Sequence, residues 1–396
     1  MRNAAYAPQR YRYTVLLDID DIDMEQKILI LGGYGNAGFL ISRLLLQESN
    51  VQLVISGRNL SRAKKAADEL NRAFNTNRVS GKRVDAADTN SLETALEGVS
   101  LILVASSTID YVHNVCDIAL KAGADYLDVQ LSSPEKLAVL NALQEKIEKS
   151  DRCFITDGGF HPGVPAAMVR YAATKFDTLE VANISAVFQL NWKDMRFSES
   201  TTSEFMDELK NFNPLVLKNK KWVKMSMKEL PKFDFGESFG ERYCTPMFLE
   251  ELRTLPDTIP SLKETGFYIA GFNWMTDYLI MPIAFVALKM FRKKANRPMG
   301  KLFSWGLRNF SKAPFGAILQ LEAKGLKGKK DSFMHMSLTH DDAYVLTAVP
   351  VVACLLQYLN GNIRRTGLWF QANLVEPKQF FNDIERLGVG INVQIK

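Results

Sequence analysis

Gly33-Tyr34-Gly35-Asn36-Ala37-Gly38 is a G-x-G-x-x-G run between a short apolar strand, Lys27 to Leu31, and an apolar-periodic helix, Phe39 to Gln47. Residues of these types at this spacing hold a dinucleotide pyrophosphate. Gly33 permits the tight turn, Gly35 lets the backbone approach a phosphate, and Gly38 lets the helix pack close on the strand. The N–H groups around Tyr34, Asn36 and Ala37 and the helix dipole then favour the phosphate charge. The other reading of the same residues is a tight strand-helix turn with no ligand.

The second strand, Val51 to Ser56, ends at Gly57-Arg58-Asn59. An acid for ribose hydroxyls is expected near this point in an NAD site. Arg58 stands there instead, and a guanidinium pairs with a 2′-phosphate. The expected cofactor is therefore NADP, with Arg58 and Asn59 at its adenosine end. Ser61 and Arg62 either add donors or begin the next helix.

Proton management is the other chemistry to place. Tyr111 and His113 follow an apolar strand, Leu101 to Ala105, that is closed by Ser106-Ser107-Thr108. Each is able to donate or accept a proton, and imidazole is already near the required pKa. Both also suit a plain helix start. His161 lies on the turn Asp157-Gly158-Gly159-Phe160-His161-Pro162-Gly163, where a rigid backbone either faces the ring into a cleft or bonds it to the chain itself. His335 and His340 are expected to be structural. No H-x-x-x-H pair or carboxylate cluster suggests a metal, and no G-x-S-x-G elbow suggests a hydrolase.

The elements that must position these residues alternate strand and helix with short links as far as Asp157. That pattern predicts an α/β fold, an N-terminal Rossmann domain with a doubly wound parallel sheet. Ligands bind such sheets at the carboxyl ends of the strands. Gly33, Arg58, Asp85, Ser106, Ser107 and Asp157 are then expected on one rim. Asp85 either meets the adenine amino group or caps a helix. Beyond Gly163 the strands lengthen and become more polar, as in Asn183 to Leu190 and Ala317 to Ala323, which reads as a second, α+β domain. The expected bounds are an extension at 1–24, a nucleotide domain at 25–160 completed by about 341–396, and a substrate or dimerisation domain at 161–340. Ser198 to Phe205 is hydroxyl-rich and enters a helix. It is a capping box from Thr201 to Glu204, or an anion site.

Composition narrows the function classes. The chain has 396 residues and a formal net charge of +5, and it lacks the basic-aromatic arrays of nucleic-acid modules. Cys116, Cys153, Cys244 and Cys354 are scattered, which fits a reducing, cytoplasmic setting without structural zinc. Residues 266–315 are different. They join a short apolar run to Arg292, Lys293, Lys294, Arg297 and Lys301. The run is too short to span a bilayer. It reads either as a peripheral membrane segment, which would let an apolar substrate reach the cleft, or as a buried or dimer-interface helix.

Several stretches resemble the saccharopine dehydrogenase (reductase-like) family of oxidoreductases. They are "LGGYGNAGF" with "SGRNLSRAKKAADEL", "LVASSTIDYVHNVCDIALKAGADYLDV" and "TDGGFHPGVPA"; the ending, "HDDAYVLTAVPVVACLLQYLNG" to "FFNDIERLG", is similar to members of the wider family. The resemblance implies NADPH-linked hydride transfer, often to a C=N bond, in a cleft between two domains. Saccharopine-forming members commonly carry Asp where His161 stands, and no pair of carboxylate-binding arginines stands out in the second half. The resemblance therefore implies a reaction class and leaves the substrate open. The expected function is reduction of a C=N, C=O or activated C=C bond of a small, lipophilic molecule by a homodimer. A non-catalytic NADP-binding redox sensor, acting at a membrane or on a partner, is the alternative.

Overall fold

A computed structural model describes residues 26–193, 199–291 and 293–396. The extension at 1–24 lies outside them.

Six short runs, all but β3 largely buried, become the strands β1 (Lys27–Leu31), β2 (Gln52–Gly57), β3 (Val79–Arg83), β4 (Leu101–Val104), β5 (Asp125–Asp128) and β6 (Cys153–Thr156). Between them run α1 (Asn36–Glu48), α2 (Leu60–Phe74), α3 (Thr89–Leu96), α4 (Val112–Ala122) and α5 (Pro134–Lys149). Local chemistry sets the helix ends. Asn59, Asp88 and Ser133 cap α2, α3 and α5 with their side chains, and Gly123 ends α4 in the left-handed region at φ 68°. All pairings in this sheet are parallel, in the order β3-β2-β1-β4-β5-β6, and a late strand, β15 (Gly367–Phe370), is added beside β6. The strand order reverses between β1 and β4, which is where such a sheet opens its ligand crevice. Helices cover both faces, so β1, β2, β4 and β6 are buried on both sides and read as largely apolar runs, while the edge strand β3 is polar and mostly exposed.

After β6 the chain leaves through α6 (Pro165–Ala173) into β7 (Thr178–Gln189), the spine of a second, mixed sheet. Helix α7 (Glu199–Lys210) follows, then β8 (Leu215–Lys218), β9 (Lys221–Lys224) and β10 (Lys232–Asp234). One-turn helices α8 (Gly236–Phe239) and α9 (Leu255–Thr258) flank β11 (Glu241–Pro246), and β12 (Glu264–Ala270) comes next. A π-helical turn, Thr276–Ile280, runs into α10 (Met281–Phe291), followed by α11 (Lys293–Phe310) and the hairpin β13 (Gly316–Lys327) and β14 (Lys330–His340). The sheet order is β10-β11-β12-β7-β13-β14 and then the closing strand β16 (Gly390–Ile395), with β8 on β12 and β9 on β8. Side chains alternate across it: Ala182, Ile184 and Ala186 of β7 enter a core shared with the first domain, while Val187 enters a small outer cluster with Phe233 and Tyr268.

The chain then returns. Helix α12 (Ala343–Leu359), capped by Asp342, packs on α1, and β15 (Gly367–Phe370) extends the parallel sheet. After α13 (Gln371–Leu374) and α14 (Pro377–Arg386), the closing strand β16 (Gly390–Ile395) crosses to the second sheet and pairs with β14. The segment 341–396 thus serves both sheets, where the sequence pattern pointed to the first. Asp125 fastens the return: it accepts hydrogen bonds from Tyr358 (2.6 Å), Arg364 (2.9 Å) and the Cys153 N–H (2.9 Å).

Candidate active site

The glycine turn stands where β1 meets α1. Gly32, not Gly33, carries the unusual backbone at φ +89°, and a Cβ there would stand 2.5 Å from the Ala105 carbonyl oxygen. The tight-turn role expected of Gly33 therefore belongs to Gly32. Gly33 is needed for space, with the Ile30 carbonyl oxygen 3.0 Å from where its Cβ would be. Gly38 does what its position suggests: a Cβ would meet the Gly32 carbonyl oxygen at 2.5 Å, so only glycine lets α1 lie this close. Gly35 is the N-cap of α1 and supplies no side-chain cap. The first-turn N–H groups of Asn36, Ala37 and Gly38 have no intrahelical acceptor and lie at the crevice, a ready anion site.

The turn after β2 forms the adenosine end. The Tyr34 hydroxyl accepts the Asn59 N–H at 3.1 Å, and a Cβ on Gly57 would stand 2.7 Å from the Tyr34 ring. Arg62 lies over that ring, 4.5 Å from its centre. Arg58 is exposed beside it. Asn59 spends its side-chain oxygen on the Arg62 N–H as the cap of α2. Asp85 is not the helix cap; Asp88 is, while Asp85 closes a local turn by accepting the Ala87 N–H at 3.1 Å.

At the end of β4, Ser106 packs against Gly32, and Ser107 is exposed. Gln130 donates to the Ser106 carbonyl (2.8 Å) and to Thr108 Oγ1 (3.0 Å). Ser106 Oγ and Gln130 Oε1 are buried with no hydrogen-bond partner among the described residues. Polar atoms are rarely left so in a native fold. Tyr111 and His113 stand at the start of α4, both exposed.

Next to this, at the ends of β5 and β6, lies a buried ionic cluster that the sequence pattern did not reveal. Lys136 is 1% exposed, and it donates to Asp128 (3.0 Å), Asp157 (2.7 Å) and the Gln130 carbonyl (2.7 Å). Thr156 donates to Asp128 at 2.7 Å, and half-buried Ser132 donates to Asp157. Burial pulls the Lys136 ammonium down, yet the two aspartates hold it above its ordinary value. Burial also raises the Asp157 carboxyl, against the pull of Lys136. Two carboxyls thus share one buried ammonium. One signal for Lys136 was available. A lysine in the first turn after Ser133-Pro134 opposes the helix dipole, which an exposed lysine has no reason to do.

The second sheet packs against the His161 turn. His161 stacks on Phe188 of β7, with ring centres 4.5 Å apart and planes 21° apart, and lies 5.7 Å from Phe267 of β12. Burial pushes its imidazole down to about 4. Behind the same turn, Glu251 accepts the N–H groups of Gly163 (2.6 Å) and Ala166 (3.0 Å), while burial pushes its carboxyl up to about 8. The Thr201 to Glu204 capping side chains lie outside the described residues.

Residues 28–158 match the family described as saccharopine dehydrogenase NADP binding domain. Over these residues the chain is similar to the saccharopine dehydrogenase family. Its parallel-sheet half is an NADP-binding domain. Saccharopine dehydrogenase (L-Glu forming) from Saccharomyces cerevisiae, in an apo and histidine-tagged form, has the same fold at a TM-score of 0.65 and 13% identity. That match covers 94% of this chain and 100% of that one. A short-chain dehydrogenase/reductase from Veillonella parvula in complex with NADP matches 34% of this chain and 68% of its own at 13% identity, with a TM-score of 0.27. One from Mycobacterium ulcerans matches 33% and 66% at 12% identity, with a TM-score of 0.29. Neither adds to the fold assignment. No curated protein matches the sequence. The NADP assignment agrees with the cradle: three glycine positions a Cβ would fill, an uncapped helix start and two buried polar atoms awaiting partners.

Proposed function

We propose that this saccharopine dehydrogenase-like chain is an NADP(H)-dependent oxidoreductase that reduces a C=N, C=O or activated C=C bond of an apolar small molecule. The observation that carries the reading is the uncapped start of α1 at the β1/β4 crevice, beside the unpartnered Ser106 Oγ and Gln130 Oε1. When bound, the nicotinamide supplies or accepts the hydride.

The chain's own residues do the rest. The N–H groups of Asn36, Ala37 and Gly38 hold the pyrophosphate, and Arg58 pairs with the 2′-phosphate. Ser106 and Gln130 orient the end of the cofactor that lies beyond β4. His161 is neutral at physiological pH and acts as a hydrogen-bonding ring in an aromatic wall, not as a cationic acid. Proton exchange falls to Tyr111 or His113 at the rim, or to Asp157 through Ser132. Apolar character in the substrate is supported by half-buried Phe188, on which the His161 ring stacks.

The test is NADPH consumption in the presence of metabolite extracts fractionated by polarity. Stoichiometric oxidation with an apolar fraction is the expected outcome. Tight NADPH binding with no turnover in any fraction would replace this reading with that of a redox sensor.

A further inference from the structure

Helix α10 and the π-helical turn before it bury one narrow stripe, Ile280, Ala284 and Leu288. Thr276 is buried as well, Met281 and Ala287 pack partly on the core, and the outer face that remains is largely apolar and faces solvent. Tyr278 is 76% exposed, Met290 67% and Phe291 59%, with Ile283, Phe285 and Val286 between them. Trp274 and Trp305 flank the patch, both exposed. A surface helix ordinarily turns polar side chains outward. A contiguous apolar patch of this kind marks a contact surface.

Charge identifies the occupant. From Tyr278 to Leu321 the sequence holds eight Lys and Arg and no Asp or Glu. Lys289, Lys294 and Lys301 are exposed around the apolar face. A second copy laid against this face would bring like charges together, whereas an anionic lipid surface supplies the missing sign. No helix among the described residues is long and apolar enough to cross a membrane. We infer that α10 and its flanking aromatics dock on an anionic bilayer, the helix lying in the plane of the interface with its apolar side chains beneath the headgroups and its lysines among them. Nothing in this inference depends on the redox reading, and binding is measured without turnover.

Co-sedimentation with phosphatidylcholine vesicles, with and without phosphatidylglycerol, tests it. The protein should sediment with the anionic vesicles and be released in part as salt rises. Ile283→Glu, Val286→Glu and Met290→Glu together should abolish sedimentation while leaving NADPH affinity and the unfolding midpoint unchanged, because all three side chains already face water. Lys289→Gln, Lys294→Gln and Lys301→Gln together should weaken vesicle binding by roughly a hundredfold. A protein that stays in the supernatant with every vesicle at low salt overturns the proposal, and so does equal sedimentation of the glutamate variant. A dimer in light scattering that the glutamates dissociate, with no vesicle binding, would assign the face to a second copy instead.

Discussion

Single residues in this chain are constrained by burial as much as by chemistry. Lys136 is the clearest case. Truncating one partner of a buried ion cluster strands the others, and Lys136→Met should cost about 3–5 kcal/mol in chemical denaturation. Adding Asp157→Asn should recover part of that loss, since the excess carboxylate is then removed; no recovery would mean the cluster does not act as a unit. His161 gives a pH prediction with a definite sign. Its folded pKa of about 4 lies below the ordinary 6.5, so the folded chain binds this proton less readily than the unfolded one. Its stabilising contribution is therefore in place above 6.5 and drains away as pH falls through about 4. The stability difference between the parent and His161→Phe should follow that course; a difference that does not change with pH would show the ring to be ordinary. At this scale the sequence was legible where a residue acts through its own backbone neighbours, as Gly38 does. It was not legible where the partners are distant, as for Lys136, whose two aspartates end different strands. The positive φ at Gly32 was also hidden, because two adjacent glycines look alike until the β4 backbone stands beside one of them.

Elements of the parallel sheet could be read directly because most of its strands are short apolar runs closed by a turn residue, and α2, α3 and α5 carry their own side-chain caps. The second sheet resisted. Its strands are long, half polar and paired across large sequence separations, so neither its order nor the crossing of β16 from one sheet to the other has a local signature. The junction of β1 with α1 offers a test at this scale. Gly38→Ala places a methyl 2.5 Å from the Gly32 carbonyl oxygen, and backbone cannot yield cheaply there. The helix must tilt away, moving its N–H groups off the crevice. NADPH affinity should fall at least tenfold and the unfolding midpoint should drop; a variant with the parent's affinity would show that α1 does not hold the phosphates.

Taken whole, the molecule is a nucleotide sheet and an aromatic-faced second sheet that share one continuous core, with His161 and its turn at the join. The apolar helix α10 was visible in the sequence as an anomaly that suited either a surface or a buried helix, and its composition alone could not choose the exposed one. The central claim is that NADP, rather than NAD, lies across the β1/β4 crevice with its 2′-phosphate at Arg58. Titrating NADPH and NADH into the parent and Arg58→Ala, by fluorescence of the bound nicotinamide, tests it most directly. NADPH should bind the parent more tightly, and Arg58→Ala should lose about 1.5–3 kcal/mol of NADPH affinity with little change for NADH. Equal affinities in the parent, or a preference for NADPH that survives Arg58→Ala unchanged, would contradict it.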